Sequence, residues 1–283
     1  MKFVPIALAA LLFGAGFAAQ AAPLVFSADG ANPAAIQTTV DAFRAALGTL
    51  NPNVAGSFGS GRREINWDGV PDAFSAPNNL PANFFNVNSP RGVVFATPGT
   101  GFQVSANAGV APIEFGNLNP TYPDLFQTFS AQRLFTALGS NITDVDFFVP
   151  GSSTATGVSA FGAVFTDVDL ANTTSLQFFD LADQSLGTFF ASALAGNGTL
   201  SFLGVQFNAG EMIGRVRITA GNAVLGGLEG GGTDLVVMDD FIYAEPNRVA
   251  AVPEPSTLLL IGAPLVALAA LRRRRECRFS AAR

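Results

Sequence analysis

The sequence predicts a mainly β protein, an antiparallel β-sandwich of jelly-roll type with one short N-terminal amphipathic helix. Three observations lead there. Short runs rich in Phe, Val and Ile are separated by turn signals such as Thr97-Pro98-Gly99-Thr100-Gly101, Pro150-Gly151-Ser152-Ser153 and Gly196-Asn197-Gly198. Arg215-Val216-Arg217-Ile218-Thr219 alternates strictly, which places Val216 and Ile218 inward and both arginines outward. Two further runs, 161–168 (FGAVFTDV) and 235–243 (LVVMDDFIY), are apolar on both faces, as the central strands of a packed sandwich are. A signal helix at the N-terminus and a membrane helix at the C-terminus bracket this body.

Residues 1–21 read as a secretory signal. Lys2 supplies the positive start, the apolar run 3–17 follows, and Ala19-Gln20-Ala21 is a small-x-small cleavage pattern that predicts a cut before Ala22. The run is too short for an ordinary spanning helix. Residues 22–62 form a small, polar N-terminal segment with a helix over about 33–47. Asn32-Pro33 has the form of an N-cap followed by proline, Ile36, Val40, Phe43 and Leu47 share one face, and Gly48 ends it. The sandwich body spans 63–246, with strands expected at 63–67, 92–97, 101–106, 144–149, 161–168, 175–180, 185–191, 200–207, 215–219 and 235–244. The stretch 107–138 reads as a long crossing loop with a helical turn. A linker (247–252), a membrane segment with its flanks (253–275) and a short cytoplasmic tail (276–283) complete the chain.

The C-terminal segment combines Pro253-Glu254-Pro255, an apolar run at 258–271 and the cluster Arg272, Arg273, Arg274 and Arg275. Counted from Pro253, the apolar stretch barely suffices for a bilayer of about 30 Å. The four arginines hold their end in the cytoplasm, so the body lies outside. Pro-Glu-Pro cannot continue a helix or join a sheet and stays extended at the membrane surface. This arrangement resembles the PEP-CTERM sorting signal of Gram-negative bacteria, and the resemblance covers only about 25 residues. It implies an exosortase as processing partner after the general secretion machinery, with the membrane only a transient anchor. It departs from the pattern in Pro264, which interrupts the helix, and in the length of the tail 276–283. The body around 161–180 and 236–246 is similar to secreted β-sandwich proteins that often precede such a signal, a resemblance that implies fold and address without an activity.

Composition excludes more chemistry than any motif adds. The chain of 283 residues is 49% hydrophobic and 13% charged, contains no His, and has one Cys, Cys277, in the basic tail. Imidazole- or thiolate-based catalysis, zinc sites of those ligands and disulfide scaffolds therefore do not apply. The 21 acidic residues less Glu254 and Glu276, against the 15 basic residues less seven in the terminal segments, leave a body with a net charge of about −11. That balance argues against nucleic acid as a partner. The 27 Phe against 2 Tyr and 1 Trp point to a Phe-filled core, leaving Trp67, Tyr122 and Tyr243 as the rings a sugar-binding face would need.

Three Asp clusters stand out: Asp144 with Asp146, Asp167 with Asp169, and Asp239 with Asp240. At i and i+2 on a strand both carboxylates face one way, and hard oxygen donors gathered from two strands suit Ca²⁺. Turn capping is the simpler assignment for Asp144, Asp146 and Asp169. Asp239 and Asp240, inside an apolar strand, need a ligand or buried hydrogen bonds. The run VMDDFIYAE resembles, over about five residues, the last strand of calcium-stabilised lectin-like jelly rolls. The resulting expectation is one structural Ca²⁺ bound by some of Asp167, Asp169, Asp239 and Asp240, with at most one of the last two as a direct ligand unless a bulge intervenes. The Gly-rich stretches at 56–62 and 226–232 lack the Gly-Lys-Ser/Thr of a phosphate loop and read as flexible surface loops. No catalytic residue is assigned; a glycosidase would have to draw on Glu64, Glu114, Glu211 and Asp68. The sequence thus predicts a non-enzymatic cell-surface or extracellular-matrix protein linked to exopolysaccharide and biofilm, with a carbohydrate-binding module and a carboxylate-based glycosidase as alternatives.

Overall fold

Strand pairing starts at Leu24, earlier than the sequence suggests. The computed structural model describes residues 22–247, so the signal segment and the C-terminal sorting segment lie outside the described residues. The elements run β1 (Leu24–Gly30), α1 (Pro33–Leu47), β2 (Arg62–Ile65), α2 (Phe84–Val87), β3 (Val93–Ala96), β4 (Gly101–Val104), β5 (Phe135–Leu138), β6 (Ile142–Phe147), β7 (Ala160–Thr166), β8 (Ser175–Asp180), β9 (Ser185–Phe190), β10 (Leu200–Gln206), β11 (Ile213–Thr219) and β12 (Val237–Ala244). They form two antiparallel sheets. One has the order β1-β10-β7-β12-β5-β4, with β2 also paired to β12; the other has the order β3-β6-β11-β8-β9. The last eight strands divide as β5-β12-β7-β10 in one sheet and β6-β11-β8-β9 in the other, changing sheet at each step except the β8–β9 hairpin. Among the described residues no helix is long and apolar enough to cross a membrane.

The helix expected at 33–47 forms over those residues. Asn32 accepts a hydrogen bond from the Ala35 amide, and Gly48 closes the helix at φ 89°. Ile36, Val40, Phe43 and Leu47 are its buried residues. Its docking depends on two facing glycines, Gly162 on β7 and Gly204 on β10. A Cβ on Gly162 would stand 2.9 Å from the Phe43 ring, and one on Gly204 would stand 3.0 Å from it. Bare backbone at those two positions makes the dent that seats Phe43, which also meets Phe26 and Phe202 edge-on or tilted.

The strands apolar on both faces, β7 and β12, are central in the larger sheet and buried along their whole length. In β11, Val216 and Ile218 are buried, while Arg215 and Arg217 pair with Asp144 on the neighbouring β6. Phe fills the core as expected: Phe85, Phe95, Phe135 and Phe241 surround Trp67, whose ring stacks on Phe135 at 4.1 Å, and Phe102 stacks on the same Phe135. Two strands depart from the expected organisation. β1 lies in the segment read as small and polar, yet pairs with β10 over seven residues. β5 lies in the stretch read as a crossing loop, pairing with β4 over four residues and with β12 through Met238 and Phe135. The sandwich therefore begins at Leu24 and not near Arg63.

Candidate functional site

β12 changes partners halfway along one edge. Its start meets β5 at Met238, and its end pairs with β2 from Phe241 to Ala244. The register against β7 shifts between Met238 and Phe241. Asp239 and Asp240 occupy that irregularity, which lets neighbouring side chains that would otherwise diverge reach one partner. The Ser130 hydroxyl lies 3.2 Å from Asp239 Oδ1 and 2.7 Å from Asp240 Oδ1. Asp239 Oδ2 accepts from the Phe129 amide at 2.6 Å and the Ser130 amide at 3.2 Å. Asp240 Oδ2 accepts from Arg44 Nη2 at 3.0 Å, and the same guanidinium grips Glu64 through Nε and Nη2. The Trp67 indole donates to the Asp239 carbonyl at 2.9 Å.

This network is buried and fully answered by protein groups. Burial drives the Asp239 carboxyl well above the ordinary carboxylate range, helped by the charge of Asp240 and resisted by the Phe129 amide. Burial raises Asp240 too, against the pull of Ser130 and Arg44. Asp68 is pushed up to about 6, first by burial and then by the charge of Asp240.

Asp167 and Asp169 lie elsewhere, in the turn that follows β7. Asp167 adopts φ 72°, a left-handed conformation that Asp tolerates better than most side chains. Its Oδ1 accepts from the Gly198 amide at 3.1 Å, and Asp169 Oδ1 accepts from the Gly196 amide at 2.8 Å. Asp234 takes the Asp169 amide at 2.9 Å and the Thr173 hydroxyl. The Gly-rich loop 226–233 closes over this turn. Gly226, Gly230, Gly231 and Gly232 all have positive φ, which explains the glycines. Tyr122 Oη accepts from the Gly226 amide and donates to the Gly227 carbonyl, tying one end of the loop down. At the other end Glu229 Oε1 accepts from the Leu235 amide at 3.2 Å. The Glu229 carboxyl lies near enough to that of Asp167 for each to act on the other. Burial and then this partner push Asp167 up to about 9.

The structure thus brings Asp167 and Asp169 into one turn and Asp239 and Asp240 into one bulge, on paired strands but with separate partners. Glu229, Ser130 and Tyr122 join these groups without having been singled out from the sequence. Glu229 is the one acidic residue inside the glycine run, and that was the available signal. Asp144 forms ion pairs with Arg215 and Arg217, and Asp146 is raised by burial beside it. Trp67, Tyr122 and Tyr243 are all buried, so none offers a ring to a sugar. An open cavity of about 330 Å³ lies beside the end of β12, lined in part by Ser159, Gln206, Met212, Glu245 and Asn247. A second, of about 210 Å³, includes Asp146, Asp180, Asp183 and Arg215. Neither is lined by Glu64, Asp68, Glu114 or Glu211. Among the described residues no three Asp, Glu or Cys side chains converge to hold a metal ion.

The chain leaves the body through a clamp. Glu245, the residue after β12, is buried against Arg63, with Nε to Oε2 at 2.8 Å and Nη2 to Oε1 at 2.9 Å. The Asn247 amide donates to the Gly157 carbonyl, and the Thr156 hydroxyl donates back to the Asn247 carbonyl. Ala19, Ala21, Pro253, Glu254, Pro255 and Arg272 to Arg275 lie outside the described residues. Residues 251–275 match the PEP-CTERM protein-sorting motif, four residues beyond that clamp. No curated protein matches the chain. The motif marks an exported protein, made as a membrane-anchored precursor and processed by an exosortase.

Proposed function

We propose that this protein is a non-enzymatic structural or adhesive component of the cell surface or extracellular matrix, working alongside exopolysaccharide. The observation that carries the reading is the clamp at the end of β12. A fully buried central strand, a bidentate Arg63–Glu245 pair and the Asn247 contacts hold the body rigid to within four residues of the sorting motif. Six residues from Asn247 to Pro253 span at most about 20 Å, so processing would take place close against the folded body. In this reading the body faces outward, Arg272 to Arg275 stay inside, and cleavage near Pro253 releases a mature chain that begins at about Ala22. The shortage of chemically competent side chains and the engagement of Glu64 by two arginines support a role without catalysis.

The order of the last eight strands favours a jelly roll, and with it a second reading as a carbohydrate-binding module. Such a module would bind through loop Asn and Asp side chains, because the Trp and Tyr rings are buried. The test is deletion of the protein, and separately the change Glu254→Ala, in the native host. The first should weaken the cohesion of the exopolysaccharide matrix; the second should retain the protein in the membrane fraction. Unchanged matrix on deletion overturns the structural role. Binding of the purified protein to a glycan array selects the module, and hydrolysis of the exopolysaccharide selects the glycosidase.

A further inference from the structure

We propose that the loops around the exit of the chain form a membrane-contact face, on which the anchored precursor rests against the phospholipid surface before it is processed. Three segments meet there, 49–61, 84–92 and 148–157, and the buried Arg63 guanidinium joins them to the exit. It donates to the carbonyls of Pro52, Val54 and Gly56 in the first segment and of Pro90 in the second, besides gripping Glu245. The Gly56 amide reaches the Pro150 carbonyl of the third, and the Asn86 side chain bonds the Ser152 carbonyl and the Gly151 amide. The Phe58 amide and the Asn51 side chain both donate to Glu245, two residues before Asn247. On this framework Leu50, Val54, Phe58 and Val87 are exposed to solvent.

Length and charge name the occupant. The chain runs from Asn247 to Pro253 in at most about 20 Å, which keeps these loops close to the bilayer. So short a tether makes contact with lipid an intramolecular event, and a few apolar side chains entering the headgroup layer suffice. The three segments contain no Asp or Glu, although the body as a whole is strongly acidic. At the same end the β8–β9 and β10–β11 turns carry Asp183 and Glu211, which anionic phospholipid repels, so the body leans on the acid-free loops. At the other end of β12 Leu228 is exposed too, but its neighbour in the chain is Glu229. Arg91, in the second segment, is the one arginine among the described residues that pairs with no carboxylate. Its Nε has no hydrogen-bond partner, and a lipid phosphate supplies the anion that its guanidinium lacks. Cutting the sorting segment removes the tether, and a face this small then lets go. The inference rests on the anchored precursor and not on the matrix role proposed above.

The test uses the full chain, inserted through its C-terminal segment into vesicles of phosphatidylethanolamine and phosphatidylglycerol. In a Cys277→Ser background, Val54→Cys, Phe58→Cys, Val87→Cys and Leu228→Cys each carry one environment-sensitive fluorophore. Labels at 54, 58 and 87 should be quenched by a lipid with a nitroxide headgroup and shielded from a water-soluble nitroxide. The label at 228 should show the reverse. Adding Val54→Asp should return the label at 87 to the aqueous quencher, with the urea midpoint unchanged because that side chain is exposed. Labels at 54, 58 and 87 as open to water as the label at 228 overturn the proposal. Equal shielding at 228 overturns the assignment to this face. Shielding that appears only when an exosortase is reconstituted alongside overturns the assignment to lipid and gives the face to a protein partner.

Discussion

Asp239 and Asp240 sit in the β12 bulge with Ser130, two backbone amides and Arg44 around them, whereas Asp167 and Glu229 meet with no donor or cation between their facing oxygens. All four carboxyls are displaced upward, first by burial. The first pair is answered by groups from two other places in the chain, Arg44 and the residues 129–130, and so ties helix, sheet and loop together. The second is answered by glycine amides on its outer oxygens only. A buried acid with a full set of partners is a structural knot; a buried acid left one donor short holds its own proton more tightly. The difference between the two pairs lies in their partners and not in the acids themselves.

The largest expected effect comes from breaking the satisfied pair. Asp239→Ala strips the acceptor from the Phe129 and Ser130 amides at a fully buried position and leaves both amides unpaired. The change should cost about 3–5 kcal/mol, the range for a broken buried polar network. Urea unfolding gives the number directly. A loss below about 1 kcal/mol would mean that the loop at 129–130 repacks, and the structural reading of this pair would fail.

The next effect is one of pH, and its sign is unusual. Among the described residues every carboxyl with a displaced pKa is displaced upward, including Asp68 to about 6 and Glu114 to about 7, both first through burial. A carboxyl with a folded pKa above its unfolded value binds its proton more tightly in the folded state. Its stabilising contribution is complete below the unfolded value of about 4 and disappears as pH rises through the folded value. For Asp68 and Glu114 that window runs from about pH 4 to 7. In EGTA the midpoint should therefore be higher at pH 5 than at pH 8 by a few degrees, roughly 1 kcal/mol in a domain of this size. Glu114→Gln should flatten part of that slope. A midpoint that rises with pH would show that arginine-paired acids such as Asp144 dominate instead.

What the sequence reveals and what it hides follow the range of the interactions involved. The helix α1 is legible to the residue because its cap, its apolar face and its closing glycine all lie within 17 residues. The central strands β7 and β12 are legible because burial on both faces leaves them apolar throughout. β1 is not, because an edge strand exposing Leu24 and Val25 lacks an alternating pattern, and its position depends on β10, far along the chain. Four-residue β5 is too short for any period to show. The candidate sites divide in the same way. The two Asp pairs are visible as local patterns, but Ser130 lies 109 residues from Asp239. Glu229 reaches Asp167 only because the glycine loop folds back. The four acids expected to share a calcium ion thus divide between two places, and among the described residues no three acidic side chains converge to hold a metal ion.

The smallest predicted change sharpens the comparison most. Asp167→Asn keeps size and shape, keeps an oxygen for the Gly198 amide, and turns the orphaned oxygen into a donor aimed at Glu229. In EGTA it should leave stability unchanged or raise it by up to about 1 kcal/mol, the value of one hydrogen bond made where none stood. Ordinary expectation for altering a fully buried acid is the reverse, a loss of several kcal/mol. That sign separates an acid the fold merely accommodates from one the fold needs. A substantial loss in EGTA would place Asp167 with Asp239 as a structural acid and erase the distinction between the two pairs.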